Sequence, residues 1–123
     1  MIDELSITER CFNFSVRIVH LCQFLCKRSN ICNVIARQLL RSGTSIGANV
    51  EEAQAGHSKA DFIAKMSIAR KEARETHYWI RLIKETKLIE EVKIDDILSE
   101  AEQLVKIITA IVKSAQKGKM NEQ

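Results

Sequence analysis

The sequence predicts an all-α protein, an antiparallel up-down four-helix bundle. Three observations carry that prediction. Apolar residues recur at three- and four-residue spacing through four long segments. No run alternates with a two-residue period long enough to be a strand. There is no proline in 123 residues, so nothing forces a kink in a long helix. Short connections between the four segments make consecutive helices antiparallel neighbours. The length suggests one domain over 1–123, enough to bury roughly two thirds of the unfolded surface. Hydrophobic residues are 46% and charged residues 28% of the chain, which marks a globular protein rather than a disordered one. The sequence shows no internal repeat and no low-complexity segment.

The four helices are expected at about 6–28, 31–55, 59–87 and 94–117. Ser6-Ile7-Thr8-Glu9 has the form of a capping box and places the first start. Cys11, Phe14, Ile18, Leu21 and Leu25 follow on one face, widened by Phe12, Val19, Cys22 and Cys26. Lys27 and Arg28 are placed at its C-terminus, where cations suit the helix dipole. Ser29 or Asn30 can cap the second helix. Its core stripe reads Cys32, Ile35, Leu39, Ser42, Ile46, Asn49, Ala53, and a parallel stripe reads Ala36, Leu40, Gly43, Gly47, Val50. Gly56 is the expected C-cap. Ser58 caps the third helix, whose stripe is Phe62, Met66, Ala69, Ala73, Thr76, Ile80, Ile83. Leu88–Lys93 reads as a short acidic connection. Asp95 and Asp96 then suit the start of the fourth helix, with Ile94, Leu98, Ala101, Val105, Ile108, Val112 and Ala115 as its stripe. Gly118 onwards is expected as a loose basic tail.

Gly43 and Gly47 pose a choice between a phosphate-gripping loop and a helix that another helix approaches closely. A P-loop needs four residues between its glycines and then Gly-Lys-Ser/Thr. Here three residues intervene, and Ala48-Asn49 follow. No strand precedes the stretch, and the dinucleotide-binding glycine pattern does not match either. The periodicity runs through both glycines, so they belong to a helix of roughly 37 Å at 1.5 Å per residue. Each interior glycine costs about 1 kcal/mol against alanine. Close packing of a neighbouring helix is the expected compensation.

Metal and enzyme chemistries find little support in the residues. Cys11, Cys22, Cys26 and Cys32 read as small buried apolar residues rather than a disulfide framework or a zinc site. A di-iron bundle needs Glu-x-x-His pairs, and no glutamate has a histidine three residues on. Glu51, Glu52, Glu72 and Glu75 read as a salt-bridged polar layer with Arg37, Arg41 or Arg74. His20, His57 and His77 occupy helical or capping contexts, so no Ser-His-Asp site is readable. Arg70 and His77, six residues apart, loosely resemble the Arg…His motif of helical HEPN ribonucleases. Lys71 follows the arginine where that family prefers Asn, Asp or His, and both residues fall in regular mid-helix. The reading is therefore no enzyme and no cofactor. MIDELSITER lacks the form of a signal peptide, and no segment approaches the ~20 apolar residues of a membrane span, which makes the cytoplasm the expected location.

Helix three carries more than a core stripe. Arg70, Arg74, His77, Arg81 and Lys84 fall within an arc of roughly 80° at 100° per residue, a candidate nucleic-acid-binding strip. Ala64, Ile68, Trp79 and Leu82 form a second apolar strip, a candidate oligomer interface or a widening of the core. Between Lys59 and Lys87 there are eight Lys/Arg and four Asp/Glu; between Leu88 and Glu102 there are one lysine and six acids. Net charge over the whole chain is only +3, so the segregation, not the total, gives the strip weight. A solvated face with ion pairs is the competing expectation.

The stretch QLLRSGTSIGANVEEAQAGHSKADFIAKMSIARKEARETHYWIRLIKET, Gln38–Thr86, resembles the core of bacterial four-helix bundle proteins related to the 23S rRNA intervening-sequence protein. The same family includes the accessory variability protein of diversity-generating retroelements. The residues that carry the resemblance are Arg41, Ser45, Asn49, Glu52 and Ala53 in helix two. In helix three they are Lys71-Glu72-Ala73, Glu75-Thr76 and Tyr78-Trp79. Helices one and four are similar in pattern alone. The resemblance implies a four-helix bundle, a homo-oligomer in the form of a ring of five subunits, and no catalytic site. For the retroelement branch it implies binding to a reverse transcriptase and to RNA or DNA. Two function classes follow: a nucleic-acid-binding oligomeric accessory protein, and a structural or protein-partner-binding bundle.

Overall fold

The computed structural model describes residues 6–121. Four α-helices follow one another: α1 Ile7–Leu25, α2 Asn30–Gln54, α3 Lys59–Glu85 and α4 Glu91–Asn121. No strand occurs among the described residues. Ion pairs and hydrogen bonds between neighbouring helices fix the antiparallel sense. Arg10 meets Glu100 and Arg17 meets Asp96, so α1 and α4 run in opposite directions. Lys84–Asp95 and His77–Glu102 do the same for α3 and α4. α2 packs on α1 and α3, and α3 packs on α4, whereas α1 and α4 approach each other least. That loosest seam is bridged by the Arg10 guanidinium, which donates to both carboxylate oxygens of Glu100 at 3.1 and 2.7 Å.

Three helix starts are set by serine. Ser6 Oγ accepts from the Glu9 N–H and Glu9 returns the bond to the Ser6 N–H, a complete capping box. Ser29 accepts from the Cys32 N–H and Ser58 from the Asp61 N–H, each at 3.1 Å. Each cap is worth about 1 kcal/mol over alanine.

Helix ends depart from expectation in three places. α1 stops at Leu25, because Ser29 must already be extended to cap α2 and the chain needs Lys27 and Arg28 for the turn. Arg28 lies over the Phe24 ring at 4.8 Å instead of at the last carbonyls of the helix. Gly56 does not cap α2 in the left-handed region; Ala55 caps in the right-handed one, and no described glycine has positive φ. Lys87 takes that conformation, with φ 56°. Its N–H reaches Lys84 O and the Leu88 N–H reaches Ile83 O, the paired bonds of a Schellman motif closing α3. α4 begins at Glu91 and continues through Gly118 to Asn121, where a tail was expected; residues 122–123 lie outside the described part. Its last turns stay helical beside the start of α3: a Cβ on Gly118 would stand 3.4 Å from Lys59 Nζ.

The core is aliphatic, with Phe14 as its one fully buried aromatic ring beside Ile18, Leu39, Ile46, Met66 and Leu104. Ser42 is buried against Thr76, whose hydroxyl donates to it at 2.9 Å. Gly43 and Gly47 sit inside an unbroken α2, both buried. A Cβ on Gly43 would stand 2.9 Å from two carbons of Ile18; one on Gly47 would stand 3.3 Å from the Cys11 carbonyl oxygen. The two glycines let α1 lie close on α2. Phe12, Val19 and Cys26, expected to widen the core face of α1, are exposed. With α1 drawn in at the glycines, only Cys11, Phe14, Ile18, Cys22 and Leu25 remain on its buried side. Cys11 and Cys22 lie in that apolar layer, where burial pushes both thiols up to about 12.

Candidate nucleic-acid interface

The α3 strip does not present five equivalent cations. Two of its members turn to acids on α4. Lys84 Nζ lies 2.8 Å from Asp95 Oδ1. His77 Nε2 lies 3.6 Å from Glu102 Oε2, too long for a hydrogen bond, and is shielded from solvent without another partner. Arg81 is exposed and stands over the Tyr78 ring at 5.9 Å. Arg70 is half-buried and Arg74 exposed, and neither forms an ion pair among the described residues. The competing expectation of an ion-paired face thus describes Lys84, with His77 beside an acid, and fails for Arg70, Arg74 and Arg81, which form no ion pair among the described residues.

Register explains the division. Lys84–Asp95 and His77–Glu102 are one heptad apart on both helices. The acids of α4 all fall in its first half; from Gln103 to Gly118 it carries Lys106, Lys113 and Lys117 and no acid. These three lysines are exposed and form no ion pair among the described residues. The sequence signal for them was present, but it gains meaning only once α4 is known to lie antiparallel against the strip.

The second apolar strip of α3 divides as well. Trp79 and Leu82 are half-buried and pack on the core, while Ala64 and Ile68 are exposed. Trp79 Nε1–H donates to Glu75 at 3.1 Å, and its ring meets Tyr78 edge-on at 5.1 Å. Arg41 bridges Glu75 and the buried Glu72, at 3.2 Å to the latter. This is part of the expected polar layer, with Arg41 as its cation; among the described residues Arg37, Arg74, Glu51 and Glu52 form no ion pair. The most exposed apolar residues lie elsewhere: Ile31 and Val34 on α2 and Phe12, 59% exposed, on α1, followed by Phe24, Val16 and Val19 on α1 and Leu40 on α2.

Catalytic and metal readings gain no geometry. His77 turns to Glu102, and Arg70 lies two turns away on the same helix. Among the described residues no group of three or more His, Cys, Asp and Glu could hold a metal ion. Among the described residues no helix is long and apolar enough to cross a membrane.

A four-helix bundle with an arginine-bridged α2/α3 layer and a basic outer face defines a class of small all-α proteins. The chain belongs to the 23S rRNA-intervening sequence protein family, which it matches over residues 3–110. It is similar to a solved structure from Bacteroides thetaiotaomicron, a protein with unknown function from the S23 ribosomal protein family. The two share 41% identity with a TM-score of 0.82, covering 88% of this chain and 99% of the other. No curated protein matches the chain.

Proposed function

We propose that this protein is a non-enzymatic, oligomeric accessory protein of the cytoplasm that binds RNA or DNA through the outer face of α3. The observation that carries the reading is the pair Arg70 and Arg74, two guanidinium groups on a rigid helix without a carboxylate partner among the described residues. Guanidinium forks suit phosphate oxygens, and such contacts position a nucleic acid without reading its sequence. Membership of a family named for an rRNA intervening sequence supports the same direction.

Assembly belongs to this proposal. The five-subunit ring implied by the sequence resemblance needs a head-to-tail contact between two different patches of each subunit. Phe12, Val16, Val19 and Leu40 supply an outward apolar face for it, better exposed than Trp79 and Leu82. A ring would repeat the basic face and add weak contacts by multivalency. The same apolar face also suits a second reading, in which the bundle binds a protein partner, such as the reverse transcriptase of the retroelement branch, without nucleic acid.

Binding of RNA and DNA by the wild type and by an Arg70/Arg74/Arg81→Glu variant, at low and moderate salt, tests the proposal. The wild type should bind and weaken steeply with salt, as released counterions dictate. The variant should lose roughly tenfold or more in affinity at low salt. Equal affinity of the two, or no binding by the wild type at low salt, would leave the protein-partner reading ahead.

A further inference from the structure

We infer that the C-terminal half of α4 is the second wall of the nucleic-acid site, and that the site fits the backbone of a duplex. This rests on the nucleic-acid reading above and extends it to Lys106, Lys113 and Lys117. The register places them. Stepping one heptad on from His77–Glu102 brings Arg70 level with Thr109. Lys106 and Lys113 flank that level on the α4 face that already carries Asp95 and Glu102, at spacings of seven, four and seven. At the end of α4 the helix still lies beside the start of α3, with Gly118 near Lys59 Nζ. Two neighbouring helix axes lie roughly 8–10 Å apart, so Arg70 and Arg74 form one row of cations and the three lysines a second, parallel row. Lys106 to Lys117 spans about 16 Å.

Charge placement shows why this half is a site and the other is not. Lysines near the C-terminus of α4 suit its dipole. Arg70, Arg74 and the three lysines, without carboxylate partners among the described residues, repel one another. A polyanion laid along the two rows relieves that repulsion. Toward the other end of the seam, Asp95 pairs with Lys84, and Asp95 and Glu102 would repel phosphate, which bounds the site. The choice of duplex follows from what the face lacks. Proteins that hold single strands offer aromatic platforms for bases. Of the exposed rings, Phe12 and Phe24 lie on α1. Tyr78, one turn from Arg74, is already held edge-on against Trp79 with Arg81 over it, so the face offers no row of rings for successive bases. Two rows of cations on a straight, rigid surface suit a regular backbone instead. Lys113 and Lys117 lie beyond residue 110, where the family match ends.

The test is fluorescence anisotropy with a 20-base-pair RNA duplex, a DNA duplex of the same length and an unstructured single strand. Wild type, Lys113→Gln/Lys117→Gln and Arg70→Gln/Arg74→Gln are compared across a salt series. The α4 variant should bind duplex several-fold more weakly at low salt, with a log–log salt slope shallower by about 1.8, since each lost phosphate contact removes about 0.9. Lys113→Arg/Lys117→Arg should retain wild-type binding, and circular dichroism should show equal helicity in all variants. Wild-type affinity and slope in Lys113→Gln/Lys117→Gln, with binding lost in Arg70→Gln/Arg74→Gln, would overturn the inference and leave the α3 site standing. Tighter binding of the single strand than of either duplex would overturn the choice of ligand. Absence of binding by the wild type to all three would overturn the parent reading along with it.

Discussion

The two halves of the α3/α4 face are built from the same residue types on the same pair of helices, yet they differ in what they can bind. In one half Lys84 and His77 meet Asp95 and Glu102. In the other, Arg70 and Arg74 face a stretch of α4 with lysines and no acid. Proximity in sequence did not make the five members of the strip alike. What separates them is the charge on the helix across the seam, a non-local property. A basic strip on one helix is therefore a statement about potential partners, and the facing helix decides which of its cations are already taken.

The comparison can be broken by disturbing the scaffold on which both halves sit. Gly43→Leu pushes α1 away from α2, on the far side of the bundle from the face, because even a Cβ there would overlap Ile18. Overpacking of this kind costs typically 1–3 kcal/mol, measured as a lower denaturant midpoint. The folded variant should keep wild-type affinity for nucleic acid. A variant as stable as wild type would show that α1 and α2 are not held together at this glycine.

A smaller effect sharpens the account of how α3 ends beside the paired half. Lys87 adopts a backbone conformation that glycine takes without strain. Lys87→Gly should therefore raise stability by up to about 1 kcal/mol in chemical denaturation, even though it removes a cation. A loss of stability of that size would mean that the lysine side chain, not the backbone, matters there.

The smallest effect concerns the ion pair itself. Lys84 and Asp95 are both substantially exposed. A double-mutant cycle with Lys84→Met and Asp95→Asn should give a coupling of about 0.2–1 kcal/mol. Lys84→Met alone should leave nucleic-acid affinity within about twofold, because a paired cation contributes little to counterion release. A tenfold loss would place the paired half inside the site and remove the distinction between the halves.

Much of the bundle was legible in the sequence because local rules govern it. Ser6, Ser29 and Ser58 announced three helix starts through cap chemistry that involves residues three apart. The run through Gly43 and Gly47 kept its helical period, and α2 is continuous there. Endings were harder. Gly56 looked like a cap and is not one, while Lys87 takes the positive φ. A lysine in that role carries no sequence signal, because Ile83 and Leu88 close the motif through backbone bonds. Gly118 looked like a stop, but α4 runs through it to Asn121 beside the start of α3. At the face, the arginines of α3 could be read from spacing alone. Their pairing could not, since it depends on a register between α3 and α4 that only packing sets. Phe12 and Val19 misled for a related reason: their period fits the core, and the close approach of α1 to α2 leaves them outside it.

Lysine footprinting tests the central claim most directly. The protein is acetylated with an amine-reactive reagent, with and without a saturating nucleic-acid duplex, and each lysine is quantified by mass spectrometry. The account predicts protection of Lys106, Lys113 and Lys117, and unchanged reactivity of Lys27 and Lys93, which lie at the opposite end of the bundle near Phe24. Protection centred on Lys84 and Lys93, or equal reactivity of all lysines with duplex bound, would contradict it.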